Sequence, residues 1–177
     1  YKDFLDPIEI TNASENSPNT FLAKNTGSAS VKGLEVELRK NIFDSQNILT
    51  SLSSNITIID AKQTMSEDEY NSKYEASKDE LGDGVLENKR PLQGQSPHIV
   101  NVGLNTKLIN YNLDFGLFYN VQGETLSKVG LGGIPDVFTK PFNKLDFKLK
   151  KSFAGKLNSN IELKISNILD DRTESVY

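Results

Sequence analysis

The chain has 177 residues, no cysteine and a formal net charge of −4. So small a charge, without a basic stripe, excludes nucleic acid as an expected partner, and without cysteine neither disulfides nor thiolate metal sites can form. Hydrophobic residues make up 36% and aromatic residues 8% of the chain, which is low for a protein with a well-filled core. No apolar run reaches the roughly 18 residues of a transmembrane helix, but transmembrane strands alternate apolar and polar residues and escape that criterion.

Alternation of apolar and polar side chains with a period of two recurs along the chain and predicts seven strands. The first is a partial strand over 1–10. The other six lie, in chain order, at 28–39, 51–60, 99–107, 113–122, 144–153 and 160–166. Phe118 is the exception to the alternation of its strand. Pro141 lies at the start of its strand, where a missing N–H donor is tolerated.

The connections between the predicted strands alternate in length. Short turns are predicted near 41–47, 109–112 and 154–158, and long loops at about 11–20, 65–96 and 124–137. Short turns at one end and long loops at the other are typical of an outer-membrane barrel, whereas a soluble sandwich has no reason to sort its loops by side. Each short turn carries an aromatic residue (Phe43, Tyr111 and Phe153), as rings at a membrane–water boundary would, although soluble hairpins also have aromatics beside turns.

The polar faces of the predicted strands are dense in charge. Lys148 and Lys150 can lie across from Glu162 and Lys164 of the next strand, and each opposite-charge pair in such a ladder is worth roughly 0.2–1 kcal/mol. This face suits the wall of a hydrated lumen. The wet face of a soluble antiparallel sheet has the same pattern, so alternation alone does not decide which face meets lipid.

Catalytic chemistry is not expected. His98 is the only histidine, so no Ser–His–Asp arrangement can be argued. We predict that the chain is not an enzyme and that it uses no cofactor. The run Gly130-Leu131-Gly132-Gly133 lacks the Lys-Ser/Thr of a phosphate-binding loop and does not precede a helix, so we interpret it as part of a flexible outer loop.

The segment 65–91 is the most acidic part of the chain. It has eight carboxylates and four basic residues, an excess equal to the net charge of −4. Carboxylates around 79–84 raise the hypothesis of a Ca²⁺ site, but their spacing does not match an EF-hand loop. We therefore interpret the segment as a solvated loop and predict no metal site.

Five short motifs occur in a consistent order along the chain. They are Asn25-Thr26-Gly27-Ser28-Ala29 running into Gly33-Leu34-Glu35-Val36-Glu37, Arg90-Pro91-Leu92-Gln93-Gly94-Gln95-Ser96-Pro97 before the strand from His98, Tyr119-Asn120-Val121-Gln122-Gly123, Pro135-Asp136-Val137-Phe138, and Ser166-Asn167-Ile168-Leu169-Asp170. Together they resemble the barrel of TonB-dependent outer-membrane receptors of the Bacteroidota type. They are signatures of barrel wall and turns, and none is a ligand signature.

The resemblance implies an all-β fold, an antiparallel up-and-down transmembrane β-barrel, of which 1–177 would be a C-terminal part of the wall. The family's plug domain and its last strand are not recognised in the chain. About seven strands of a barrel of about 22 are expected here, and an open set of strands cannot close by itself. The expected location is the outer membrane of a Gram-negative envelope.

The implied function is TonB-dependent uptake of a solute into the periplasm. The implied partners are outer-membrane lipid, TonB acting through the plug region, and a surface lipoprotein. Ligand-facing residues are expected in the outer loops, and the candidates are Tyr70, Tyr74, Arg90, Gln93, Gln95 and Asp136. Two alternatives remain open, namely a transporter-like barrel acting as a structural subunit of an envelope complex and a soluble secreted β-sandwich that binds carbohydrate or protein.

Overall fold

The computed structural model describes residues 4–14, 16–17, 19–82, 84–154 and 158–177. Within these ranges antiparallel strands dominate, with one α-helix, α1 (Glu67–Leu81), and a 3-10 turn at Ile109–Tyr111. The strands are β1 (Phe4–Leu5), β2 (Ile8–Asn12), β3 (Phe21–Asn25), β4 (Ser28–Asp44), β5 (Ile48–Thr64), β6 (Lys89–Pro91), β7 (His98–Leu108), β8 (Leu113–Gln122), β9 (Thr125–Lys128), β10 (Val137–Thr139), β11 (Phe142–Phe153), β12 (Ser159–Ile165) and β13 (Ser175–Val176).

The main sheet has eight strands. Seven follow one another in the order β1-β4-β5-β7-β8-β11-β12, and β6 pairs with β5 beside this path. All neighbours are antiparallel, and β1 and β12 are its open edges in the described part of the chain. The all-β prediction and the six full strands are therefore confirmed.

Register sorts the side chains of this sheet into two faces, because direct partners in antiparallel strands point to the same side. Apolar partners form continuous rows, such as Val36, Ile56, Val100 and Val121, or Leu104, Leu117, Phe147 and Ile165. The polar residues between them form matching rows on the opposite side. We call the two sides the apolar face and the polar face.

The β4–β5 and β7–β8 connections lie together at one edge of the sheet, the turn end, where β11 also ends and β12 begins. Ile109 N–H donates to Asn47 O over 2.8 Å, which ties the β4–β5 turn to the β7–β8 turn. Ser152 N–H donates to Asn112 O over 2.9 Å and ties in the end of β11. Asn112 has a φ of 45° and closes the 3-10 turn, a left-handed conformation that Asn tolerates better than most residues. Of the predicted turn at 154–158, residues 155–157 lie outside the described residues.

All longer connections gather at the opposite edge, the loop end. Here β2 and β3 form a two-stranded sheet, and β13, β10 and β9 form a three-stranded sheet. The helix α1 follows β5 and precedes β6 in the chain. Longer connections and short turns therefore lie at opposite edges of the sheet. Gly27 makes the corner from β3 into β4 with a φ of +41°, and a Cβ there would lie 2.3 Å from Thr64 O.

Three expectations need correction. The predicted loop at 124–137 contains the strand β9, which pairs with β10. The predicted first strand over 1–10 is divided, because Asp6 turns with a φ of 52° and only β1 joins the main sheet, while 8–12 pairs with β3. The predicted loop at 65–96 contains the 15-residue helix α1. Ser66 caps this helix by accepting from Glu69 N–H over 3.2 Å, a Ser-x-x-Glu start that is visible in the sequence.

Buried apolar side chains lie at the loop end. Those of the described residues are Ala29, Met65, Leu126, Val129 and Val137. The apolar face of the main sheet has no such cover, and Leu34 and Ile161 are each 64% exposed. No helix in the described ranges is both long and apolar enough to cross a membrane.

Candidate functional site

The loop end holds a set of charged side chains, three buried (Glu9, Glu69 and Arg90) and two half-buried (Lys73 and Asp136), that we call the ion network. Glu9 comes from β2, Glu69 and Lys73 from α1, Arg90 from β6, and Asp136 from the segment before β10. Backbone hydrogen bonds link β2 to Val129 in the β9–β10 connection, whereas no strand pair involves α1. The ion network therefore connects all three long connections of the chain.

Arg90 is the centre of the ion network. Its Nη2 lies 2.6 Å from Glu9 Oε2 and its Nη1 lies 3.0 Å from Glu9 Oε1, a two-point contact. Its Nε lies 2.6 Å from Glu69 Oε1, with Nη2 at 3.2 Å from Glu69 Oε2. The side chains of Arg90, Glu9 and Glu69 are only 5%, 2% and 8% exposed. The planar guanidinium matches two carboxylates at once, which the point charge of a lysine could not do.

Lys73 extends the ion network to the β9–β10 connection. Its Nζ lies 2.8 Å from Asp136 Oδ1 and 3.8 Å from Glu69 Oε1. Asp136 Oδ1 also accepts from Gly130 N–H over 2.8 Å. A Cβ on Gly130 would lie 2.0 Å from Ile134 O. The glycine-containing loop that the sequence presents as flexible is therefore folded back on itself around Asp136.

The carboxylate of Glu9 is held ionised. Burial raises its pKa, but hydrogen bonds from Arg90, Thr26 and Gln93, together with the charge of Arg90, outweigh burial and bring the pKa below its usual 4.5. Thr26 Oγ1 donates to Glu9 Oε2 over 2.5 Å. Burial lowers the pKa of Arg90, and the bonds and charges of Glu9 and Glu69 raise it by more. Both groups are therefore charged in the folded protein over the physiological range.

Gln93 serves as a bridge between strands. Its Oε1 accepts from Ile10 N–H over 2.6 Å, and its Nε2 donates to Ile10 O and to Ser127 O over 2.8 and 2.9 Å. An amide side chain has both a donor and an acceptor, so it fills the place of a backbone peptide between β2 and β9. Its role in the described structure is to join these strands.

Tyr70 and Tyr74 lie one helical turn apart on α1. Their ring centroids are 6.2 Å apart with an interplanar angle of 13°. Tyr74 is exposed and Tyr70 is half-buried. Of the six predicted ligand-facing residues, these two lie on the helix and keep their rings partly open to solvent.

Gln95 lines a pocket of 390 Å³ beside the ion network. Its lining comes from β5, β6, the segment between β6 and β7, and the strands β9 and β10. Apolar side chains of Ile59, Leu126 and Phe138 and charged side chains of Lys62, Glu87, Lys89 and Arg90 contribute to its lining. Its size falls at the lower end of the range for small-molecule sites. Arg90 reaches it with its charge already matched by Glu9 and Glu69.

Metal-binding geometry is not found in the described residues, where no group of three or more His, Cys, Asp or Glu side chains could hold an ion. Asp83, a member of the acidic run considered for Ca²⁺, lies outside these residues. The glutamates of the ion network are occupied by cationic side chains.

Sequence reasoning named Arg90, Gln93 and Asp136 but assigned them to a ligand-facing surface. The structure places them in contacts that hold the loop end together. Sequence reasoning did not name Glu9, Glu69 or Lys73, which complete the ion network. The order of charges along the chain contains no sign that residues 81 positions apart meet, and only the Ser66 cap could have placed Glu69 on a helix.

Comparison with known proteins finds no matching family model, no matching curated protein and no matching solved structure. The resemblance to TonB-dependent receptors therefore stays a prediction.

Proposed function

We propose that this chain forms part of the wall of an outer-membrane β-barrel and serves in TonB-dependent uptake of a solute. The observation that carries the proposal is the uncovered apolar face of the main sheet. Large apolar side chains on that face are exposed on β4, β5, β7, β8 and β12. Soluble proteins rarely leave so extended an apolar surface in water, whereas lipid would cover it.

The length of this face is compatible with the same assignment. On β5 the apolar face runs from Ile48 to Ile58, about 33 Å at about 3.3 Å per residue. Strands of outer-membrane barrels tilt by about 35–45°, and their apolar band is about 25 Å tall. With a barrel tilt of about 40°, a length of about 33 Å would correspond to about 25 Å, the height of that band.

The turn end has features suited to a membrane boundary. Phe43, Tyr111 and Phe153 lie there and are all exposed, as in an aromatic girdle. Lys151 is on the apolar face, directly opposite Leu113 and Ile161, and its Nζ donates to Tyr111 O. Long cationic side chains reach the membrane surface in this way while their stems stay in apolar surroundings.

Transport is proposed from the polar face and from the motifs. Residues such as Glu37, Asn55 and Lys148 give this face the hydration that a lumen requires. The loop end is an ordered region with its own buried ion pairs. The motif order that resembles TonB-dependent receptors makes energised uptake the favoured function, with TonB and a surface lipoprotein as proposed partners.

Membrane embedding can be tested by cysteine scanning, since the chain has no cysteine of its own. Spin labels would be placed singly at Ile56→Cys and Leu163→Cys on the apolar face and at Asn55→Cys and Glu162→Cys on the polar face. In lipid vesicles we expect the first pair to collide mainly with dissolved O₂ and the second pair mainly with a water-soluble nickel chelate. A chain that folds as a cooperative monomer in detergent-free buffer would end the membrane assignment and support the soluble sandwich.

Energised uptake can be tested separately with the full-length protein that contains this chain. We expect outer-membrane extracts to retain it on an immobilised periplasmic domain of TonB. A protein that is embedded in the membrane but is not retained would support the structural-subunit alternative and would contradict TonB-dependent transport.

A further inference from the structure

The two small sheets of the loop end are joined to each other. Asn12 N–H donates to Val129 O and Val129 N–H donates to Ile10 O, each over 3.1 Å, and the side chain of Gln93 bridges β2 and β9 beside these bonds. The strand order across this joined sheet is therefore β3-β2-β9-β10-β13. Its outermost strands are β3, with five residues, and β13, with two, so β3 offers the longer free edge.

The outer edge of β3 presents backbone groups that have no partner among the described residues. Thr26 N–H donates to Pro7 O over 3.0 Å directly beyond the paired residues of β2 and β3. Because hydrogen-bonded and non-hydrogen-bonded pairs alternate along antiparallel strands, Lys24 and Leu22 bond to β2. The residues beside them direct their N–H and C=O groups away from β2, and these are Phe21, Ala23 and Asn25.

This edge lacks most of the features that block strand addition. Natural sheets protect open edges with proline, a β-bulge, a very short strand or charged side chains. β3 contains no proline, its register with β2 is unbroken, and it has the ordinary length of a strand. An extended peptide can therefore add to it through main-chain hydrogen bonds.

One face of the hairpin beside this edge is apolar. Ile10 and Ala23 are register partners, and Ile8 lies two residues from Ile10 on the same face. Ile8 and Ile10 are 71% and 40% exposed, and Ala23 is exposed as well. A strand added at the edge would pack its own apolar side chains on this face, as exposed apolar surface at a protein interface does.

The unmatched charge on these strands is positive. β2, β3 and β9 contain three charged side chains, Glu9, Lys24 and Lys128. Glu9 is matched by Arg90, whereas Lys24 and Lys128 form no ion pair within the described part of the chain. The Lys128 ammonium lies 4.1 Å from the centroid of the Phe21 ring, at the edge itself. An acidic segment is therefore attracted to this edge and a basic segment is repelled.

We propose that the free edge of β3 is a docking site for a partner protein, which adds an extended segment of alternating apolar and acidic residues as a further strand of the joined sheet. The main chain of this segment bonds to the outward N–H and C=O groups of β3. Its apolar side chains lie beside Ala23 and Ile10, and its carboxylates lie on the opposite face beside Lys24. The interaction involves neither lipid nor TonB, so it stands independently of the proposed function.

The test uses the full-length protein in lipid nanodiscs and two fluorescent synthetic peptides, one alternating valine with aspartate and the other alternating valine with lysine. Binding is measured by fluorescence anisotropy. We expect the aspartate peptide to bind roughly five- to ten-fold more tightly, because it exchanges repulsion for attraction at Lys24 and Lys128. Lys24→Gln should reduce this preference.

Ala23→Pro tests the backbone bonds to the added strand. It removes an N–H that β2 does not use, and proline is tolerated on an edge strand where the N–H faces solvent. We expect the aspartate peptide to bind at least roughly ten-fold more weakly to this variant. Ala23→Val is the matched control, because it keeps the N–H, and it should keep the affinity. Hydrogen-exchange protection of β2 amides shows that the hairpin stays folded in both variants.

Two N-methylated forms of the aspartate peptide test the same bonds without changing the protein. One is methylated on every valine nitrogen and the other on every aspartate nitrogen. Alternate N–H groups of a strand point to opposite edges, so one form should lose binding and the other should keep it. The inference is overturned if the aspartate peptide does not bind, if the lysine peptide binds as tightly, if Ala23→Pro and Ala23→Val have equal effects, or if both methylated forms bind alike.

Discussion

The main sheet and the loop end differ in the exposure of their apolar and charged side chains. On the sheet, apolar residues such as Leu34 and Ile161 are exposed, and charged residues of the polar face are exposed as well. At the loop end, Leu126 and Val129 are each 1% exposed, and Glu9 and Arg90 are buried with them. The loop end thus has a core of its own, whereas the sheet has none.

The difference indicates which part of the molecule depends on its surroundings. The loop end matches its own buried charges with short hydrogen bonds, so its structure is supported from within. The sheet satisfies its backbone hydrogen bonds between strands but leaves both faces to be covered or hydrated by something else. Under the proposed function, lipid covers one face and water fills the other.

The largest expected effect comes from Arg90→Ala. This variant leaves Glu9 and Glu69 buried without their cation, and removal of one partner from a buried ion pair costs about 3–5 kcal/mol. We expect the free energy of opening of the loop end, measured by hydrogen exchange of amides in α1 and β2, to fall by that amount. Amides of β7 and β8 should keep their protection.

Arg39→Ala is the control for Arg90→Ala. Arg39 also pairs with a glutamate at 2.6 Å, but its side chain is 80% exposed, and exposed pairs contribute about 0–1 kcal/mol. Equal losses for Arg90→Ala and Arg39→Ala would show that the ion network is no more than a surface feature.

The next effect concerns the sheet. Val102→Lys puts a charge on the apolar face near the middle of β7, and such a substitution costs about 2–4 kcal/mol at the centre of a bilayer. Unfolding by urea in lipid vesicles should show this loss. Asn101→Lys, one residue away on the polar face, removes only the exposed hydrogen bond from Asn120 and should cost about 0.5–1.5 kcal/mol. Equal losses in the two variants would contradict a lipid-facing apolar face.

The smallest effect is the pH dependence of the loop end. Because folding lowers the pKa of Glu9 below its usual 4.5, the ionised carboxylate stabilises the folded state. This contribution is complete above about pH 4.5 and is lost as the pH falls through the lowered pKa of Glu9. The protection factors of the α1 amides, which correct for the intrinsic exchange rate at each pH, should therefore fall in acid. Glu9→Gln should lower the free energy of opening of the loop end by about 1–3 kcal/mol at neutral pH and reduce its acid sensitivity. If the acid sensitivity is unchanged in this variant, another carboxylate causes it.

Strand positions could be predicted from the sequence because successive side chains of a strand point to opposite faces, so a sheet with one apolar and one polar face requires residues that alternate. The predicted strand at 113–122 coincides with β8. Lys150 is the register partner of Glu162, but the ion pair forms diagonally from Lys148 to Glu162 over 3.2 Å, and Lys148 faces Lys164 directly. The predicted strand at 28–39 was too short, since β4 continues to Asp44 where the alternation weakens. The helix could have been placed from Ser66 and Glu69, but its few apolar residues hid it.

The sequence by itself determined the sheet, its two faces and the separation of short turns from long connections, because each follows from the local order of side chains. Only the tertiary structure decided that Glu9, Glu69 and Arg90 meet, since loop folding brings together residues that no local pattern relates. It likewise decided that the Phe118 ring lies over Gly103 and Gly116. Gly103 lies across from the ring on β7, and Gly116 precedes the ring by two residues on β8. Because the surface is formed by both strands, neither strand contains it alone.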